Sequence, residues 1–176
     1  MTIRTVIVAR RDEDFTEFAR ASWDRLARAA YLMTGDRHQA EDAAQTALAR
    51  TFAAWSRVRR QDAYAYARRT LVNHLTDGWR RPIKEQPYDM VPDQPAHTDV
   101  ADQVARRQWL LGALRGLAPR ERAVVVLRYY FDLPEAEVAT ELGISVGAVK
   151  SMAARGLARL RVRTDLPDRI KPGATR

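Results

Sequence analysis

The stretch from Leu133 to Leu160 limits the possible folds more than any other part of the chain. Pro134 can begin a helix, because the first-turn N–H it lacks would have no partner there, and Glu135 and Glu137 suit the positive end of the helix dipole. Val138 and Leu142, four apart, give the buried side. Gly143 ends the helix where a left-handed backbone is cheap for glycine, and Ser145 can cap a second helix through its hydroxyl. Ala139 falls where two helices cross closely, and Val149 reaches back into the shared core. The stretch reads as a helix-turn-helix.

On a helical wheel the second helix puts Val146, Val149, Met152, Ala153, Leu157 and Leu160 on one side. Gly147, Ala148, Lys150, Ser151, Ala154, Arg155 and Ala158 fall on the other. Small residues let such a helix approach a major groove, and Lys150 and Arg155 can meet phosphates or guanine edges. Residues 145–163 carry Lys150, Arg155, Arg159, Arg161 and Arg163 with no carboxylate, which suits a polyanion. The plainer alternative is an αα-hairpin with a solvated basic face; turn, spacing and charge together favour DNA contact.

The whole chain points the same way. Its 176 residues carry a net charge of +8 and a pI near 10.4, which indicates a polyanionic partner without separating DNA, RNA and anionic membrane. Cysteine is absent, which leaves no disulfide framework, thiolate metal site or cysteine nucleophile and fits a reducing compartment. No signal peptide or membrane-length apolar run is legible, so the expected location is cytoplasmic, with no membrane partner.

Residues 1–11 show only a short β-prone run and are read as an extension. From about Asp12, Phe15, Phe18, Ser22, Leu26, Ala30 and Met33 recur at helical spacing, widened by Trp23 and Tyr31. Gly35 ends that helix, and Asp36 with Gln39 forms a capping box for the next. The second helix, Arg37 to about Trp55, buries Ala40, Ala44, Ala47, Leu48, Thr51, Phe52 and Trp55. Glu41, Asp42, Gln45 and Ala49 share its polar side, an acidic spot in a basic protein that serves equally as dipole stabiliser or partner contact. Arg57, Val58, Arg59, Arg60 and Gln61 lie in an aperiodic loop, and Asp62 is expected to cap a third helix to about Arg81.

Tyr64, Tyr66 and Trp79 lie among the arginines of this region, including Arg68 and Arg69. A ring can stack on an unpaired base while guanidinium follows the backbone, so the pattern suits single-stranded nucleic acid. Asn73 offers an amide donor and acceptor that could read a base edge or face water. Prolines 82, 87, 92 and 95 with acidic neighbours mark a linker. Helical spacing returns from Val104, and Pro119-Arg120-Glu121 is a helix entry, so Val124-Val125-Val126 is read as helix rather than strand.

The chain is therefore read as all-α, with two small helical domains joined by a flexible linker: residues 12–81, an acidic Pro-rich connection over 82–101, and the helix-turn-helix domain over 102–163. This arrangement resembles the extracytoplasmic-function (ECF) sigma factors of bacterial RNA polymerase. Asp36 to Gln45 looks like region 2.2, Asp62 to Arg81 like regions 2.3 and 2.4, and Leu117 to Arg161 like region 4. Tyr129-Tyr130 and the arginine-rich composition look closest to the actinobacterial branch often labelled SigE.

The resemblance implies partners and roles. Glu41, Asp42, Gln45 and Ala49 would contact the β′ clamp helices of core polymerase. Arg57, Val58, Arg59, Arg60, Tyr66, Arg69 and Asn73 would open and hold the −10 element, with Asn73 lining a pocket for a base flipped from the non-template strand. Ser145, Lys150, Ser151, Ala154, Arg155 and Arg159 would read the −35 element as duplex. The β flap and an anti-sigma factor complete the implied partners. Two positions depart from the family pattern: Thr46, where an acidic residue is usual, and Val58, where an aromatic is frequent.

Two other classes compete. A stand-alone helix-turn-helix regulator accounts for the second domain but leaves the acidic spot and the aromatic-arginine helix without a task. An enzyme is not expected: His38, His74 and His97 are scattered, no metal-ligand spacing or glycine-rich phosphate loop is present, and neither cofactor, metal nor catalytic residue is anticipated.

Overall fold

The computed structural model describes residues 3–77 and 100–162, with side chains over 11–77 and 108–161. All regular structure among them is helical. Helix α1 spans Ile3–Thr34 and contains no glycine or proline, so nothing interrupts it. It begins well before the expected Asp12, and residues 3–11 continue the helix instead of forming an extension. Gly35, at φ +73, turns the chain. Asp36, in extended backbone, then caps α2 (Arg37–Ala54) by accepting from the Gln39 N–H at 2.8 Å, one half of the expected capping box; the Asp36 N–H donates to Thr34 Oγ1 at 3.2 Å instead of to the Gln39 side chain.

Helix α2 buries a run of small side chains, Ala40, Ala43, Ala44 and Ala47, which lets it lie close against α1 and α3. Phe52, expected in the core, is 38% exposed. It sits at the edge, 4.8 Å from the Phe15 ring and under the Arg11 guanidinium. The following loop closes in a 3-10 turn, Arg60–Asp62, that runs directly into α3 (Ala63–Asp77). Asp62 is therefore no N-cap. Ala63 already has helical dihedrals, and the Asp62 N–H donates to the Arg59 carbonyl at 2.9 Å. The expected extension to Arg81 and the linker through Asp99 lie outside the described residues.

Helix α4 (Val100–Arg115) begins inside the expected linker and before Val104. In α5 (Pro119–Tyr129), Pro119 occupies the first turn, and all three valines at 124–126 are buried, settling helix over strand. The turn to α6 (Glu135–Leu142) puts Asp132 at φ 57 and drives Phe131 and Leu133 into the core. Pro134 is the extended N-cap of α6 rather than its first helical residue. Gly143, at φ 62, ends α6, and the Ile144 N–H reaches back to the Ala139 carbonyl at 3.0 Å, a Schellman closure. Ser145 then caps α7 (Val146–Val162), its Oγ accepting from the Ala148 N–H at 3.1 Å.

The two helical modules pack on each other. One continuous apolar core runs from Leu26, Ala44 and Leu71 through Phe131 to Val138 and Val149, with α1 against α4 and α5 and α3 against α6.

Candidate nucleic-acid interface

Helix α7 follows its sequence pattern except at Val146 and at Ala148, which was expected on the exposed side and is half-buried. Val149 and Ala153 are buried, Met152, Leu157 and Leu160 are half-buried, and Lys150, Ser151, Ala154, Arg155 and Ala158 are exposed. Val146, placed on the apolar side, is 40% exposed. Ser145 is also exposed and committed to its cap. The cations are not all free. Lys150 Nζ lies 3.7 Å from Glu135, Arg155 Nε donates to Glu121 Oε1 at 3.1 Å, and Arg159 donates to Glu121 Oε2 at 2.6 Å.

Glu121 is buried on α5 and gives one oxygen to each arginine. It aims both guanidiniums along one edge of α7 while leaving each about half exposed. Charge-assisted hydrogen bonds of this kind fix direction as well as adding energy. The sequence reading treated Glu121 as part of a helix entry only. Thirty-four residues separate it from Arg155, so nothing local marks the pairing.

The expected −10 residues fall on and before α3. Tyr66, Arg69 and Asn73 are exposed and share one face at helical spacing. Arg57 and Arg59 are exposed and Val58 half-buried. Arg60 is tied down by an ion pair with Asp14 and lies 5.0 Å over the Trp55 ring. Trp55 in turn packs against Phe15 and Phe18. The loop is thus anchored at Arg60 and presents Arg57 and Arg59. Asn73 lines a cleft of about 420 Å³ together with Thr76 and Asp77 of α3, Arg120 of α5 and the residues Thr140 to Ile144 of the helix-turn-helix.

The acidic spot on α2 is a surface face. Asp42, Gln45 and Ala49 are exposed and Glu41 half-buried, with Arg37 donating to the Glu41 carboxylate at 2.9 Å in an i,i+4 pair. Glu41 and Asp42 lie beyond the first turn of α2, which holds no acidic residue, so the dipole reading loses its footing; Glu41 pairs with Arg37, and Asp42 and Gln45 are exposed.

The least anticipated group is Arg68. It stands in sequence among the basic residues of the loop and third helix, yet it is only 6% exposed. Its Nε donates to Glu141 Oε1 at 3.0 Å, and its terminal nitrogen to Glu141 at 2.5 Å and Glu137 at 2.5 Å, joining α3 to α6. Burial acts to lower its pKa, and the hydrogen bonds and charges of Glu141 and Glu137 more than reverse that, so it is raised. The signal available was two glutamates four apart, one of them beside Leu142 on the apolar side of α6. Among the described residues no group of three or more His, Cys, Asp or Glu could hold a metal ion, and no helix is long and apolar enough to cross a membrane.

Comparison with known proteins agrees with this layout. Residues 19–82 match the family model for Sigma-70 region 2, and residues 107–160 the model for Sigma-70, region 4. The chain is 41% identical over 150 residues to an RNA polymerase sigma-E factor of Streptomyces coelicolor, covering 84% of each. It is 30% identical over 170 residues to the ECF RNA polymerase sigma factor SigG of Mycobacterium tuberculosis, covering 80% of this chain and 46% of that protein. The sigma factor RpoE from Bartonella quintana, solved in complex with the anti-sigma factor NepR, superimposes with a TM-score of 0.66 at 19% identity, over 89% of this chain and 99% of that one. That likeness extends the shared fold. Region 2 ahead of region 4, joined to relatives of this identity and coverage, makes the chain a member of the ECF branch of the sigma-70 family of RNA polymerase sigma factors.

Proposed function

We propose that this sigma factor, itself without catalytic activity, engages core polymerase through the α2 face and a promoter through two chemically different surfaces. Asp42 and Gln45, with Glu41 and Ala49, would meet the β′ clamp helices. Ser145, Lys150, Ser151, Ala154, Arg155 and Arg159 would read the upstream element in the major groove, with region 4 also reaching the β flap. Arg57, Val58, Arg59, Arg60, Tyr66, Arg69 and Asn73 would hold the opened −10 strand.

The observation that carries this reading is the pairing of an exposed acidic α2 face with an exposed basic α7 face in one chain. A stand-alone regulator needs only the second. Purified protein added to core polymerase on promoter fragments should give run-off transcripts, and binding to a promoter without core should be poor. Tight operator binding without core, and no transcript with it, would identify a regulator instead. Glu41→Lys with Asp42→Lys should abolish core association; a normal pull-down by that variant would show that the face is not where core binds.

A further inference from the structure

We propose that one stripe of α1, made of Arg11, Asp14, Phe15 and Phe18, is a brace that sets the loop between α2 and α3 in the shape that receives the opened strand. Asp14 and Arg60 act in it as positioning residues. The four stripe residues fall at i, i+3, i+4 and i+7, so they share one face of the helix. All four are half-buried, while Asp12, Glu13, Thr16 and Glu17 between them are exposed. They also precede the stretch matched by the region 2 model, which begins at residue 19.

The stripe grips the end of α2 and the far end of the loop. Arg11 donates to the Phe52 carbonyl at 3.2 Å and lies 5.4 Å over the Phe52 ring. The Phe15 ring stands 4.8 Å from Phe52 and 5.1 Å from Trp55, edge-on to the indole, and Phe18 is 5.0 Å from Trp55. Asp14 takes the Arg60 guanidinium, which also lies 5.0 Å over Trp55. Both ends of the loop are thereby pinned to one helix face, at buried Trp55 and at Arg60. Between them the Arg57 and Val58 N–H groups donate to the Ala54 carbonyl at 2.8 and 3.1 Å, and the Asp62 N–H closes on Arg59. Arg57 and Arg59 are thus presented to solvent on a backbone that is already fixed. A strand that meets a preformed loop does not bear the entropy of ordering it.

Arg60 could serve this site in two ways, and they differ in sign. To reach a strand phosphate it would have to leave Asp14, which would then compete with the DNA; neutralising Asp14 would strengthen opening. As one half of a brace it works through Asp14, and neutralising Asp14 loosens the loop and weakens opening. The guanidinium is engaged twice inside the protein, by a carboxylate on α1 and by the ring at the loop's start, which favours the brace.

This inference rests on the two-surface promoter reading for its purpose, but loop order is measured without DNA. In the free protein, tryptic cleavage after Arg57 should rise about two- to fivefold in Asp14→Asn, the range open to a partly exposed ion pair, at unchanged helix content by circular dichroism. On the holoenzyme, permanganate reactivity of −10 thymines should fall by a similar factor in that variant, with upstream binding retained. Asp14→Arg combined with Arg60→Asp should restore both readings. Opening at or above the wild-type level in Asp14→Asn, or a reversed pair that restores neither reading, overturns the brace. So does unchanged cleavage, and so does loss of helix content in Asp14→Asn, which would make Asp14 a folding determinant. A wild-type holoenzyme that never opens the −10 element, with cleavage still rising in Asp14→Asn and falling back in the reversed pair, keeps the brace and sinks the promoter reading.

Discussion

Glu121 shows how much of this surface is set by single side chains behind it. Its buried carboxylate faces two arginines whose own side chains are 55% exposed, so the loss on Glu121→Gln is smaller than for a fully buried pair, about 1–2 kcal/mol by denaturant unfolding. The larger effect should fall on specificity, as Arg155 and Arg159 lose their common aim. Arg155→Ala should cost about 1–3 kcal/mol on the preferred site if it reads a base. Binding curves on a panel of upstream sites would separate this from a phosphate contact, which weakens all sequences alike. Tyr64 offers a second test at this scale. Burial pushes its hydroxyl up to about 12, partly opposed by Arg25. The unfolded phenol ionises near pH 10, so the folded state's preference for the neutral form is fully present below that and lost as pH rises from 10 toward 12. Alkaline unfolding should begin in that window and track tyrosinate absorbance, and Tyr64→Phe should delay it. The capping residues Asp36 and Ser145 were legible because their chemistry is local; Glu121, Arg68 and Glu141 were not, because their partners lie on other helices.

At the scale of elements, α7 depends on its approach to α5. Gly156 carries no side chain where an added Cβ would lie 2.7 Å from Val125 Cγ2. Gly156→Ala should therefore destabilise region 4 by about 1–3 kcal/mol through overpacking, despite the better helix propensity of alanine. Adding Val125→Ala should recover part of the loss, and equal thermal shifts in single and double variants would show that the helices simply slide apart. Helices, turns and the helix-turn-helix were readable from periodicity and from Gly35, Gly143 and Pro119. Two elements were misjudged for physical reasons: in residues 3–11 the β-branched run Val6-Ile7-Val8 masks the helical spacing of Ile3, Val6 and Ile7, and no breaker stops the helix, while Asp62 was assigned a cap although a 3-10 turn already delivers the chain in helical geometry.

For the whole molecule, the sequence shows two amphipathic bundles but gives no sign that they share a core, since the residues that join them, among them Phe131, Tyr130, Arg68 and Arg115, lie far apart in the chain. The face proposed for polymerase and the module contact use different sides of region 2, so their responses to core should be opposite. Hydrogen exchange of the free protein should show slow amides in α3 and α6. On adding core polymerase without DNA, α2 should gain protection as its face is covered, while α6, released from α3, should exchange faster. The Glu41→Lys, Asp42→Lys variant should keep the free-protein pattern in both. If α2 becomes protected and α6 keeps its slow exchange, core binds the packed form as it stands and docking does not separate the modules.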